Sequence, residues 1–178
     1  MRKSLIITLA TLVITVACTQ KTRHYGSDGA SNQASCTFSG SDSTQAVWTF
    51  TKADGSPLVP EYDSLRVIER GPEGHPMTVC FHIGDTQRWL QFYSDMALRS
   101  DGLVRGGLRQ GLWTFYFPNG AKQTEYAFVD GKEEGPYRVF RENGAPFYIG
   151  QCINGKRVGI WEIYDESGNL ATTKDYGY

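Results

Sequence analysis

Short runs of aromatic and β-branched residues alternate with polar, glycine-containing breaks through the second half of the chain. Residues 113–117 and 126–129 are such runs, each about the length of a strand. The breaks carry Asn119-Gly120, Asp130-Gly131, Asn143-Gly144, Asn154-Gly155 and Ser167-Gly168, spaced 11 to 13 residues apart. Asn-Gly and Asp-Gly supply the positive φ that two-residue hairpin turns need. This pattern predicts a succession of β-hairpins.

The pattern is periodic. Gly111-Leu112-Trp113-Thr114-Phe115-Tyr116 recurs as Gly135-Pro136-Tyr137-Arg138-Val139-Phe140 and again as Gly159-Ile160-Trp161-Glu162-Ile163-Tyr164, each time after 24 residues. The turn dipeptides keep the same step, and Lys132 and Lys156 follow theirs. Each repeat is one hairpin, and consecutive hairpins pair into an antiparallel meander, so residues 107–178 are expected to form a single all-β sheet. Trp89, Phe92 and Asp95 precede Trp113, Tyr116 and Asn119 by one period, with Gln87 and Met96 where later units carry glycine. That is the loss of consensus expected of a capping unit. Upstream, Trp48 and Gly55 have the spacing of Trp113 and Gly120, at an offset of 65 that is not a multiple of the period. Residues 64–70 and 77–82 also read as strands. Region 47–106 is thus a divergent β part. An extension of the same sheet is favoured over a separate β cap. Residues 87–101 have room for a short helix, but the register of Trp89 argues for strand.

The Gly-x-Trp-x-x-Tyr, Asn-Gly and Gly-Lys marks of residues 107–176 resemble the bacterial variant of the MORN repeat. The resemblance implies the hairpin meander and is specific for fold. Proteins of this variant are often labelled antitoxin-like, which implies an antitoxin or immunity protein as one reading of function.

Alternation along each strand separates two faces. Trp113, Phe115, Tyr137, Val139, Trp161 and Ile163 share the more apolar one, expected to be the packed side. Thr114, Tyr116, Arg138, Phe140, Glu162 and Tyr164 share the other. Rings among charges are the composition of a half-exposed binding surface, and Tyr116, Arg138, Phe140, Glu162 and Tyr164 are the candidate binding face. The alternative is that these rings are ladder packing within the sheet.

The N-terminus changes the setting. Arg2 and Lys3 precede an apolar run over residues 5–17. Thirteen residues as a helix span about 20 Å, short of a bilayer core of about 30 Å. This is a signal-peptide pattern over residues 1–17. Its ending, Thr15-Val16-Ala17-Cys18, resembles the bacterial lipobox, with Thr15 where that family usually carries Leu. The resemblance implies acylation of Cys18 as the first mature residue. A secretory signal that contains a cysteine is the alternative. Cleavage there removes two basic residues and leaves 161 residues with 16 basic and 19 acidic side chains. A chain of that sign gains nothing from anionic lipid, so membrane contact is expected only through the acyl chains on Cys18. The resemblance places the protein in the bacterial cell envelope, at the outer membrane facing the periplasm or the cell surface. Residues 18–46 are rich in Ser, Gly, Thr, Gln and Asn and read as a flexible linker, with Cys36 and Phe38 as exceptions that could dock.

Chemistry is sparse. His24, His75 and His82 and the four cysteines are not at metal-ligand spacing, and neither a nucleophile elbow nor a phosphate loop occurs. No metal or cofactor is expected, and no acid, base and nucleophile set can be assembled. Residues 101–178 hold nine basic and ten acidic side chains, which argues against nucleic acid as partner. Cys80 and Cys152 fall three periods apart, about 29 Å across six strands. That is beyond disulfide reach, which leaves Cys36 as a partner for either one, or reduced thiols. The sequence reading is therefore a non-catalytic, lipid-anchored envelope protein whose repeat sheet binds or scaffolds an envelope protein or polymer. An antitoxin acting on an envelope-active toxin is the alternative, and an enzyme is the least supported.

Overall fold

The computed structural model describes residues 35–39 and 47–178, apart from residues 53 and 73, with side chains from Thr49 onward. The expected signal peptide, Cys18 and most of the expected linker lie outside the described residues. Twelve strands follow in order: β1 (Ser35–Ser39), β2 (Val47–Thr51), β3 (Ser64–Arg70), β4 (Pro76–Ile83), β5 (Thr86–Phe92), β6 (Leu98–Arg105), β7 (Leu108–Tyr116), β8 (Lys122–Val129), β9 (Lys132–Phe140), β10 (Pro146–Ile153), β11 (Lys156–Tyr164) and β12 (Leu170–Asp175). β3 to β12 form one ten-stranded sheet in sequence order, every neighbour antiparallel, with β3 and β12 as its edges. The hairpin meander expected from the period is present, and it extends upstream to Ser64.

Two expectations for the N-terminal part are corrected. Ser35–Ser39, assigned by composition to the linker, forms β1. It pairs with β2 in a separate two-stranded sheet rather than extending the meander. The reason lies in the core. Phe50 of β2 stacks on Phe92 at 5.5 Å and meets the edge of Phe81 at 5.7 Å. With Val59 it joins a buried cluster of Val79, Phe81, Leu90, Phe92, Met96, Leu98 and Tyr116. One face of β4 and β5, and the Leu98 and Tyr116 ends of β6 and β7, are thus covered, and a strand at the sheet edge could not cover them. Residues 87–101, where a short helix had room, form most of β5, a turn and the start of β6, with Trp89 in register.

The turns are of two kinds, where one kind was expected. At Asp130-Gly131 and Asn154-Gly155 both residues have positive φ, as two-residue turns demand. At Gly120, Gly144 and Gly168 only the glycine does. Gly144 N donates to Arg141 O and Arg141 N to Ala145 O, while Asn143 Oδ1 accepts from Ala145 N at 3.0 Å. This is a longer loop built on a type I turn that ends in one left-handed residue. Asn143 serves it through its side chain, not through positive φ. The degenerate unit closes the same loop, Met96 N donating to Tyr93 O, with Met96 itself at φ 69°.

Candidate functional site

Residues directly opposite in an antiparallel ladder share a face. One row runs Val79, Leu90, Asp101, Thr114, Glu125, Arg138, Ile149, Glu162 and Thr173 across β4 to β12. It defines the reverse face. The other is the tryptophan face.

The tryptophan face packs on itself. Trp113 lies on Gly102 of β6 and Trp161 on Gly150 of β10, so closely that a Cβ on either glycine would overlap the indole. Each indole N–H donates to a backbone carbonyl ten residues earlier, Leu103 O at 3.0 Å and Gln151 O at 3.2 Å. Arg109 and Arg157 lie over the two ring systems at 4.5 and 4.6 Å. In the repeat between them the pair is Tyr126 and Tyr137, stacked at 5.0 Å. A glycine–tryptophan pair and a tyrosine–tyrosine pair therefore solve the same packing problem. Phe115, Tyr126, Tyr137, Trp161 and Tyr176 continue as one column of ring contacts. The expectation that this is the packed side holds for the tryptophans, which are 5% and 2% exposed. The hydrophobic core itself, however, is on the reverse face.

That reversal sorts the candidate binding residues. Tyr116 is 9% exposed and belongs to the core, so it is corrected from surface ring to core ring. Phe50 and its neighbours cover its end of the reverse face, and burial raises the pKa of its hydroxyl. The other four lie where no described segment covers the sheet. Arg138 is exposed, opposite Glu125 and Ile149. Glu125 is buried and paired with Lys122 Nζ at 2.6 Å. Phe140, Glu162 and Tyr164 are half-buried. Tyr164 donates its hydroxyl to Glu162 Oε2 at 2.7 Å, and that bond raises its pKa. Arg138 and Glu162 stand two strands apart, about 9.5 Å, with Ile149 between them.

A second set of residues was not singled out from the sequence. Leu103, Leu108, Leu112, Val129, Ile153 and Ile160 all point to the reverse face and are 37%, 47%, 52%, 54%, 41% and 65% exposed. Their signal was present: Leu112 and Ile160 share parity with Tyr116 and Tyr164, and Val129 and Ile153 are one period apart. At the hairpin tips the pattern is regular. Arg105 faces Leu108, Val129 faces Lys132, and Ile153 faces Lys156. Each tip presents one aliphatic and one cationic side chain.

Elsewhere the chemistry is limited. Arg88 pairs with Asp101 through two contacts of 2.9 and 2.6 Å beside the core, and this pairing raises the Arg88 pKa. Cys80 and Cys152 are free and buried, six strands apart in the ladder, and burial pushes both thiols up. Among the described residues no group of three or more His, Cys, Asp or Glu is placed to hold a metal ion, and no helix is long and apolar enough to cross a membrane. Compared with known proteins, the chain matches no family model and no curated sequence.

Proposed function

We propose that this chain is a non-catalytic, lipid-anchored protein of the bacterial envelope whose repeat sheet binds another protein through the reverse face of β7–β12. The observation that carries the reading is the exposed aliphatic side chains on that face, Leu108, Leu112, Val129, Ile153 and Ile160, with Leu103 beside them on β6. Scattered surface leucines need no explanation, but exposed aliphatics that recur on one face of successive strands do. They continue the face whose β4, β5, Leu98 and Tyr116 side chains pack with Phe50 of β2. Arg105, Lys132 and Lys156 alternate with them at the tips, so a partner with apolar groups and carboxylates interspersed fits best. Arg138 and Glu162 on the same face give register to such a contact. The anchor rests on Cys18 and the apolar run before it, and the MORN-like marks support a scaffold made of repeats.

The test is affinity capture from membranes with the native chain and with the double variant Leu112→Ser, Ile160→Ser. Both side chains are more than half exposed, so folding should change by no more than about 0.5 kcal/mol each. Capture should fall at least tenfold while the melting temperature holds. Undiminished capture by the folded variant would remove this face as the binding surface.

A further inference from the structure

The two edges of the ten-stranded sheet are built differently. β3 ends in two register shifts against β4, at Val67/Glu69 and Glu69/Arg70, and carries Arg66, Glu69 and Arg70. Bulges and charges are how native sheets blunt an edge. β12 is exposed along its whole length, yet its ladder with β11 runs without a shift from Asp175 to Thr172. It carries one charge of each sign, Lys174 and Asp175. It is also the third copy of a template. β10 and β8, one and two periods earlier, each hold a strand on both sides. The outer edge of β12 thus repeats an edge that accepts a strand twice within the same sheet.

Tyr176 N donates inward to Gly159 O. Strand alternation then turns the N–H and C=O of Thr173 and Asp175 outward. We propose that β12 of a second copy pairs antiparallel with this edge, about a two-fold axis at Thr173, joining two ten-stranded sheets into one. In this register Thr173 faces its own counterpart, Lys174 faces Thr172, and Asp175 faces Ala171. No like charges oppose, and the tryptophan faces of both copies lie on the same side. A register centred on Lys174 opposes two ammonium groups. One centred on Thr172 runs into the irregularity between Thr172 and Leu170. Registers centred between residues oppose an outward-turned residue to an inward-turned one and leave the ladder without hydrogen bonds. The pairing is isologous and closes as a dimer, which gives the assembly two anchors.

The test uses the full chain in non-ionic detergent. Sedimentation equilibrium should give a dimer. Thr173→Cys should form an interchain disulfide on mild oxidation, because a hydrogen-bonded pair places its Cα atoms about 5.5 Å apart, within disulfide range. Ser167→Cys, in an exposed turn, should stay at the background set by the native thiols. Thr173→Pro removes an N–H that the fold itself leaves unused, and should give a monomer that melts within a few degrees of the native chain. If that variant unfolds, the native sedimentation and the cross-link decide. A monomer at the highest soluble concentration overturns the proposal, and so does a dimer that fails to cross-link at residue 173.

Discussion

A methyl group on the α-carbon of Gly150 would overlap Cδ2 and Cε2 of Trp161 and lie 2.6 Å from its Cγ. Gly150 is not among the glycines with positive φ, so Gly150→Ala costs nothing in backbone conformation and acts through the indole alone. To make room, Trp161 must rise from the sheet. It then loses the bond to Gln151 O, worth about 1 kcal/mol, and the Arg157 contact, worth about 0.5–1 kcal/mol. Residual overpacking adds about 1–3 kcal/mol. Together these come to about 2.5–5 kcal/mol, or a melting temperature lower by about 5–20 °C for a chain of this size. Calorimetry measures it directly. The Tyr126–Tyr137 pair supplies a rescue. Gly150→Tyr together with Trp161→Tyr rebuilds the middle repeat, and the double variant should be more stable than Gly150→Tyr alone, with a coupling of about 1–3 kcal/mol. A Gly150→Ala protein that melts within about 2 °C of the native one would refute the packing argument.

Three further outcomes follow from the same account. Cys18→Ser should abolish acyl labelling and release the protein or leave its precursor, and unchanged labelling and membrane retention would remove the anchor. Gly144 sits at φ 85° with open space around it, so Gly144→Val should cost about 1–3 kcal/mol of strain while Gly29→Val in the expected linker costs almost nothing; equal melting temperatures contradict this assignment of turn and linker. Burial raises the pKa of Tyr116, Tyr126 and Tyr137. Their stabilisation is therefore complete below the unfolded value near 10 and is lost as pH rises through the folded values. Urea midpoints should fall above about pH 10, and midpoints that rise there would show that these hydroxyls are not desolvated.

Strands and turns were legible because their causes are local. Glycine with positive φ, alternation and a 24-residue period each act within one hairpin. What covers a face is not local. Tyr116 and Tyr164 hold the same place in the repeat, yet only Tyr116 joins the core, because Phe50 and Val59 arrive there from far up the chain. Periodicity cannot distinguish the two. The same limit hid β1, whose polar sequence reads as linker until β2 pairs with it. Met96 shows a further gap between pattern and physics. The position requires positive φ, and a buried methionine occupies it in the unit that has lost its glycine. There the core side chain has been kept at the expense of backbone ease. The Gly102–Trp113 and Gly150–Trp161 pairs could have been found by asking which residue faces each tryptophan. The exposed aliphatic row could have been found by following parity from Leu112 to Tyr116.

The central claim is that the reverse face of β7–β12 meets a protein. Site-directed photo-cross-linking in cells tests it with least interpretation. A photoreactive phenylalanine analogue replaces Ile160 or Leu112 on the reverse face, and Val104 on the tryptophan face as control. The account predicts discrete protein adducts from residues 160 and 112, and none from residue 104. Absence of adducts at both reverse-face positions, or equal adducts at residue 104, would contradict it.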